Sequence, residues 1–192
     1  KLNDLLEAAT STEWGVDDVA ADPLVRSFIT QCHVSLEDDL VKRAPLAELD
    51  KVMASFWKWG ETRIGETSLV RTRNITAKNS SLPTFTVLEV VGEDMPFLVG
   101  SILGACRESN LHAEMVLHPI IDHSRDEKGH RVQLTGDTRE SYIQVFLQLL
   151  DDESRVELEA EVEKTLSDIR NCVADFATLQ ARMRDSASIV GM

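Results

Sequence analysis

The residues able to do chemistry are thinly spread along this chain. His112, Glu114 and His118 share one face of a stretch that reads as a strand. Same-face residues on a strand repeat at about 6.6 Å, so His112 and Glu114 can approach one ion while His118 lies about 20 Å from His112. A three-ligand metal site on this strand therefore fails on distance. His123 and His130 fall in a polar stretch where solvated side chains are expected. The serines lack a His and acid at readable spacing. GxGxxG, GxxxxGK[ST], GxSxG and HExxH are all absent. Chemistry alone reads as non-catalytic, with no metal site.

One segment stands apart, the strand-to-helix turn Gly92-Glu93-Asp94-Met95-Pro96-Phe97-Leu98. A helix N-terminus presents unpaired N–H groups that can hold the carboxylate of a small ligand. The competing expectation is that Asp94 caps those donors itself, with Pro96 in the opening turn.

The elements that must position these residues are bounded by composition. The chain has 192 residues, 43% apolar and 28% charged, with a net charge of −13. That is one large domain or two small ones with a true core. No apolar run reaches the roughly 18 to 20 residues of a membrane helix. A pI near 4.8 argues against nucleic acid or an anionic membrane as partner. Cys32, Cys106 and Cys172 are odd in number and far apart, which reads as reduced, buried thiols in a cytoplasmic protein rather than a disulfide framework. No signal peptide is written in Lys1 to Ala21, and the absence of an initiator Met together with the Ile189-Val190-Gly191-Met192 ending reads as a piece of a longer chain.

Residues 1–64 read as a helical lead-in. Asp22 and Pro23 open a helix carrying Leu24, Phe28, Ile29 and Cys32, and a second helix from about Pro45 to Thr62 carries Leu46, Leu49, Val52, Met53, Phe56 and Trp57. Residues 65–83 are a turn-rich linker in which Ser68 to Ile75 is a possible extra strand. Residues 84–192 follow the order strand (Thr84 to Val91), helix (Val99, Ile102, Leu103, Cys106), strand (Leu111 to Asp122, with Ala113, Met115 and Leu117 inward), polar loop (His123 to Glu140), strand (Ser141 to Leu150) and long helix from Asp152. Charge divides similarly, −3 over residues 1–80 and −10 over 81–192. A thirty-residue helix spans about 45 Å against about 33 Å for a ten-residue strand, so the last helix overruns its sheet. Its far end, with Val173, Phe176, Leu179 and Met183 as interface candidates, must pack on the N-terminal helices, a downstream domain or a second chain. The missing fourth strand comes either from Ser68 to Ile75 or from beyond Met192.

This order, with Asp94-Met95-Pro96-Phe97-Leu98-Val99 at the turn, resembles an ACT domain, a ferredoxin-like module that often binds amino acids. The resemblance implies an α+β fold, an antiparallel sheet with two helices on one face, the second of them long. VLEVVGEDMPFLVGSI (87–102), LHAEMVLHPII (111–121), ESYIQVFLQL (140–149) and the helix bearing Asp168-Ile169-Arg170 resemble the N-terminal ACT-like region of the large bacterial NAD-specific glutamate dehydrogenases. Such enzymes convert L-glutamate and NAD to 2-oxoglutarate, ammonia and NADH. Their catalytic and NAD-binding motifs have no match here, so no catalytic residue and no cofactor is assigned to this region, NAD belonging to the parent enzyme. The ACT pattern has Asp-Arg-Pro-Gly at the turn. Asp94 and Pro96 match it, whereas Met95 replaces Arg and Phe97 replaces Gly and is expected to fill the effector's space. The resemblance implies a regulatory and assembly region whose effector turn is Glu93, Asp94, Met95, Pro96, Phe97 and Leu98. Its implied partners are downstream domains of the same chain, further copies in a homo-oligomer and a small amino-acid effector. The alternatives are a stand-alone ACT-type amino-acid sensor and a pure oligomerisation domain.

Overall fold

Asp22 opens the first long helix as its sequence predicts: Oδ1 accepts the N–H groups of Leu24 at 3.0 Å and Val25 at 2.9 Å. The computed structural model describes residues 11–35, 46–75, 84–132, 136 and 138–190, with Leu6 and Ala9, and it describes the side chains of the last helix as far as Phe176. The helices are α1 (Ser11–Trp14), α2 (Pro23–Ser35), α3 (Leu46–Trp59), α4 (Leu98–Glu108) and α5 (Asp152–Val190). The strands are β1 (Leu69–Ile75), β2 (Phe85–Glu93), β3 (Met115–Leu117), β4 (Ile120–Arg125), β5 (Arg131–Val132) and β6 (Thr138–Leu147).

The strands form one antiparallel sheet in the order β1-β2-β6-β4-β5, with β3 also on β6. β2, α4, β3 with β4, β6 and α5 make the expected ferredoxin-like arrangement, and the fold is α+β with a long final helix. Its fourth strand is β1, which flanks β2 from the N-terminal side with Thr72 opposite Leu88. The expected single strand from Leu111 to Asp122 is instead two pieces. Pro119, which has no N–H to give, separates β3 from β4, and its carbonyl accepts from the Tyr142 N–H at 2.9 Å. Met115 and Leu117 are buried as expected, but Ala113 lies outside β3 and is exposed.

β2 and β6 are buried on both faces. One face presents Val87, Val91, Tyr142 and Phe146 to α1, α2 and α3, and the other presents Leu88, Val90, Ile143, Val145 and Leu147 to α4 and α5. Phe28 centres the first interface, with ring centroids 5.0 Å from Trp57 and 5.6 Å from Tyr142. A Cβ on Gly60 would stand 2.7 Å from the Tyr142 ring, so the end of α3 needs glycine to approach the sheet. The lead-in helices thus lie across the sheet from α5.

α5 also closes the open edge of β1. Glu159 Oε1 accepts from both the N–H and Oγ1 of Thr72 at 2.6 Å, and Arg155 Nη1 donates to the Thr72 carbonyl at 3.3 Å. Cys32 and Cys106 are buried, and burial pushes both thiols up, that of Cys106 to about 11. Cys172 is exposed on α5, contrary to the expectation of three buried thiols. Among the described residues no helix is long and apolar enough to cross a membrane.

Candidate functional site

The turn between β2 and α4 departs from its expected capping. α4 begins at Leu98 with Phe97 as N-cap, and no side chain caps it. Asp94 turns instead to β6, where its Oδ1 accepts from Ser141 Oγ at 2.7 Å and its Oδ2 lies 3.5 Å from Arg139 Nε. Pro96 therefore precedes the helix rather than sitting in its opening turn. Phe97 adopts φ 68°, the left-handed region that costs a side-chain-bearing residue about 1–2 kcal/mol. It is 80% exposed. Glu93 and Pro96 are exposed, Asp94 and Met95 half-buried, and Leu98 buried in the core.

His118 Nε2 stands 2.9 Å from Ser141 Oγ, so His118, Ser141 and Asp94 form a chain. Burial lowers the His118 pKa, with Asp94 opposing it. The order is wrong for a nucleophilic triad, since serine sits between histidine and acid and gives its proton to the carboxylate. Ser141 is moreover fully buried. His112 is exposed, and among the described residues no cluster of three His, Cys, Asp or Glu side chains can hold a metal.

Two buried carboxylates escaped the sequence reading. Glu140, placed at the end of a polar loop, is fully buried on β6, and His123, expected in that loop and solvated, is fully buried on β4. Glu140 Oε1 accepts from Arg63 Nε and Arg125 Nε, each at 2.8 Å, and Oε2 lies 2.7 Å from Arg125 Nη2 and 2.9 Å from His123 Nε2. Burial alone would raise this carboxyl's pKa. The hydrogen bonds from Arg125 and His123 and the charges of Arg125 and Arg63 outweigh it and hold the group far below the usual carboxylate range. Glu89, also fully buried, is clamped by Arg71, by Arg73 through Nη2 at 2.8 Å and by Gln144 Nε2 at 2.8 Å. The signal was in the parity: Glu89 shares its face with Val87 and Val91, and Arg71 and Arg73 share one on the neighbouring strand.

These clamps leave little for a ligand. A cavity of about 310 Å³ opens over Arg63 and Arg125. Arg125 nonetheless gives its remaining N–H groups to the carbonyls of Glu61 (2.9 Å), Gly129 (2.7 Å) and Gly60 (2.9 Å). Gly129, at φ 82°, is glycine because a Cβ there would lie 2.4 Å from the Arg63 carbonyl oxygen. Burial in this cluster is structural: it ties β4, β6 and the 60–65 segment together.

A larger groove, of about 880 Å³, runs between α4 and α5. Phe97 and Phe176 line it together with Ile169 and Val173. Phe176 is 61% exposed and Val173 packs partly on the core. The structure thus brings two expected interface residues beside the expected effector turn. Leu179 and Met183 lie outside the described side chains.

A family model described as "Glutamate dehydrogenase, ACT1 domain" matches residues 28–162 of this chain. The chain belongs to that family. The NAD-specific glutamate dehydrogenase of Halomonas elongata is 26% identical to it over 177 residues, 87% of this chain and 11% of that enzyme. The chain therefore spans about a ninth of the length of the curated relative it matches. No solved structure matches. The ACT1 match starts inside α2 and ends inside α5, so part of the helical cover belongs to the same family unit as the sheet. In the ACT turn the position taken by Phe97 is ordinarily glycine, which agrees with its left-handed backbone.

Proposed function

We propose that this ACT1 region is the regulatory and assembly part of an NAD-dependent glutamate dehydrogenase, an enzyme that deaminates L-glutamate oxidatively to 2-oxoglutarate and ammonia. The observation that carries the reading is the ACT1 match to residues 28–162, which falls on the ferredoxin-like sheet and its helices. The region itself is non-catalytic and cytoplasmic, and NAD and glutamate bind elsewhere in the enzyme. In support, Glu89 and Glu140, fully buried among the described residues, are committed to arginines. An amino-acid effector would sit at the turn of Glu93, Asp94, Met95, Pro96, Phe97 and Leu98. One departure from expectation supports this placement: Asp94 leaves the α4 N–H groups uncapped by a side chain.

Two measurements test the proposal. The complete gene product should form NADH from NAD and L-glutamate while residues 1–192 alone form none; a complete product without that activity sinks the enzyme reading. Heat unfolding of the chain with each common amino acid tests the effector. Ligand at a hundredfold its dissociation constant should add about 2.7 kcal/mol, and an absence of shift with all of them rejects effector binding at the turn. A shift in a protein without dehydrogenase activity would favour the stand-alone sensor.

A further inference from the structure

Every seventh residue of α5 from Val162 is apolar: Val162, Ile169, Phe176, Met183 and Val190. A strict seven-residue repeat suits a helix that supercoils with another helix. Val162 and Ile169 are spent on the fold's own core, whereas Phe176 is 61% exposed. Among the described side chains the buried positions of α5 end at Ile169, with 170–176 exposed or half-buried, while the backbone stays helical to Val190. At about 1.5 Å per residue, roughly 30 Å of helix runs past Ile169. The groove between α4 and α5 lies alongside that point. A continuous helix cannot fold its own end back into a groove formed by its own middle, so the occupant comes from elsewhere.

The sequence around Phe176 points to which occupant. Apolar positions mirror one another about it: Val173 and Leu179 are three residues away on either side, Ile169 and Met183 seven. Eight residues away, Asp168 and Arg184 carry opposite charges. Two antiparallel copies crossing at Phe176 would set each residue beside its mirror. Like charges meet once in this register, Arg170 against Arg182, and Arg170 is turned aside to Ser68 Oγ at 3.3 Å. The groove's charged lining is Glu108, Glu161 and Asp168 against Lys164, a net negative rim. Residues 177–190 carry Arg182 and Arg184 against Asp185, a net positive segment in a chain of net charge −13. The β1 edge offers a poorer surface, since Arg155 and Glu159 already occupy the outward backbone groups of Thr72.

We propose that two copies of this chain form a two-fold dimer in which the α4–α5 groove of each receives residues 177–190 of the other's α5. Such an interface is isologous, with Phe176 at the axis. It deepens the assembly part of the proposed function, and its test needs neither an effector nor dehydrogenase activity. The two readings therefore fail separately.

Analytical ultracentrifugation of the 192-residue chain should give twice its 21.4 kDa at micromolar concentration. Phe176→Asp should sediment as a monomer with unchanged far-ultraviolet circular dichroism, because Phe176 is outside the core. Asp168→Arg, which sets like charges together, should weaken the dimer by about tenfold or more, and Asp168→Arg combined with Arg184→Asp should restore it. A monomeric wild type overturns the proposal and assigns the groove to another part of the longer protein. A dimer indifferent to Phe176→Asp, or a charge exchange that restores nothing, overturns it equally.

Discussion

On the face under α4 and α5, β2 and β6 contribute the apolar Leu88, Val90, Ile143, Val145 and Leu147 with the uncharged Thr86 and Ser141; on the face under α1 to α3 the same strands contribute Glu89, Glu140 and Gln144 among Val87, Val91, Tyr142 and Phe146. Both faces exclude water, yet they are held by different forces. An apolar contact is non-directional and tolerates sliding. A buried carboxylate tolerates only the geometry that satisfies it, because leaving it unpaired is costly. Glu89 fixes β1 against β2 through Arg71 and Arg73, and Glu140 fixes β4 and the 60–65 segment against β6 through Arg125 and Arg63. The charged face sets alignment, and the apolar face supplies burial.

Breaking the charged face should have the largest effect. Glu140→Ala leaves the nearly buried Arg63 and Arg125 facing one another without their counter-charge, and removing one partner of a buried pair costs about 3–5 kcal/mol. Urea unfolding measures it, and a loss under about 1 kcal/mol would mean that the pair is relieved by water. On the apolar face, Leu158→Ala should cost about 3 kcal/mol through a cavity under α5, read from the same urea midpoints. Equal salt sensitivity in the two variants would erase the distinction between the faces.

Acid sharpens the comparison further. Because the folded-state pKa of Glu140 is held low, its stabilising contribution is present above the unfolded value near 4.3 and is lost as pH falls toward the folded value. Between pH 7 and pH 3 the wild type should therefore lose roughly 2 kcal/mol more than Glu140→Gln, which cannot titrate. Parallel pH curves would refute this. The smallest effect belongs to the turn outside both faces: Phe97→Gly should raise thermal stability by about 1 kcal/mol or less, relieving the left-handed backbone at some entropic cost.

Legibility followed locality. The Asp22 cap, the Pro23 start, the split of Val87 from Leu88 and the overrun of α5 depend on neighbours within a turn or a strand pair, and the chain displays them. The role of Glu140 depends on Arg63, 77 residues away, so in sequence it looks like one more charge before a strand. His123 was misplaced for the same reason: the strand was ended at Asp122, but it runs on to Arg125 because His123 pairs with Glu140, 17 residues away. At the turn the right residues were in view but their directions were not: Asp94 bonds across to Ser141 rather than forward to the helix. Side-chain direction at a non-repetitive backbone is set by φ and ψ, which residue type fixes only for Pro and loosely for Gly.

The position of β1 also bears on how the chain reaches this fold. Its edge pairing with β2 closes from Ile75 to Phe85, ten residues apart, where a strand placed after α5 would have to find β2 across more than a hundred. Loop-closure entropy grows as about 1.5RT times the logarithm of length, so that tenfold shortening is worth roughly 2 kcal/mol when the pair first forms. A topology whose outer strand would otherwise be its most distant contact becomes one that begins with a hairpin, which lowers its contact order and favours faster folding.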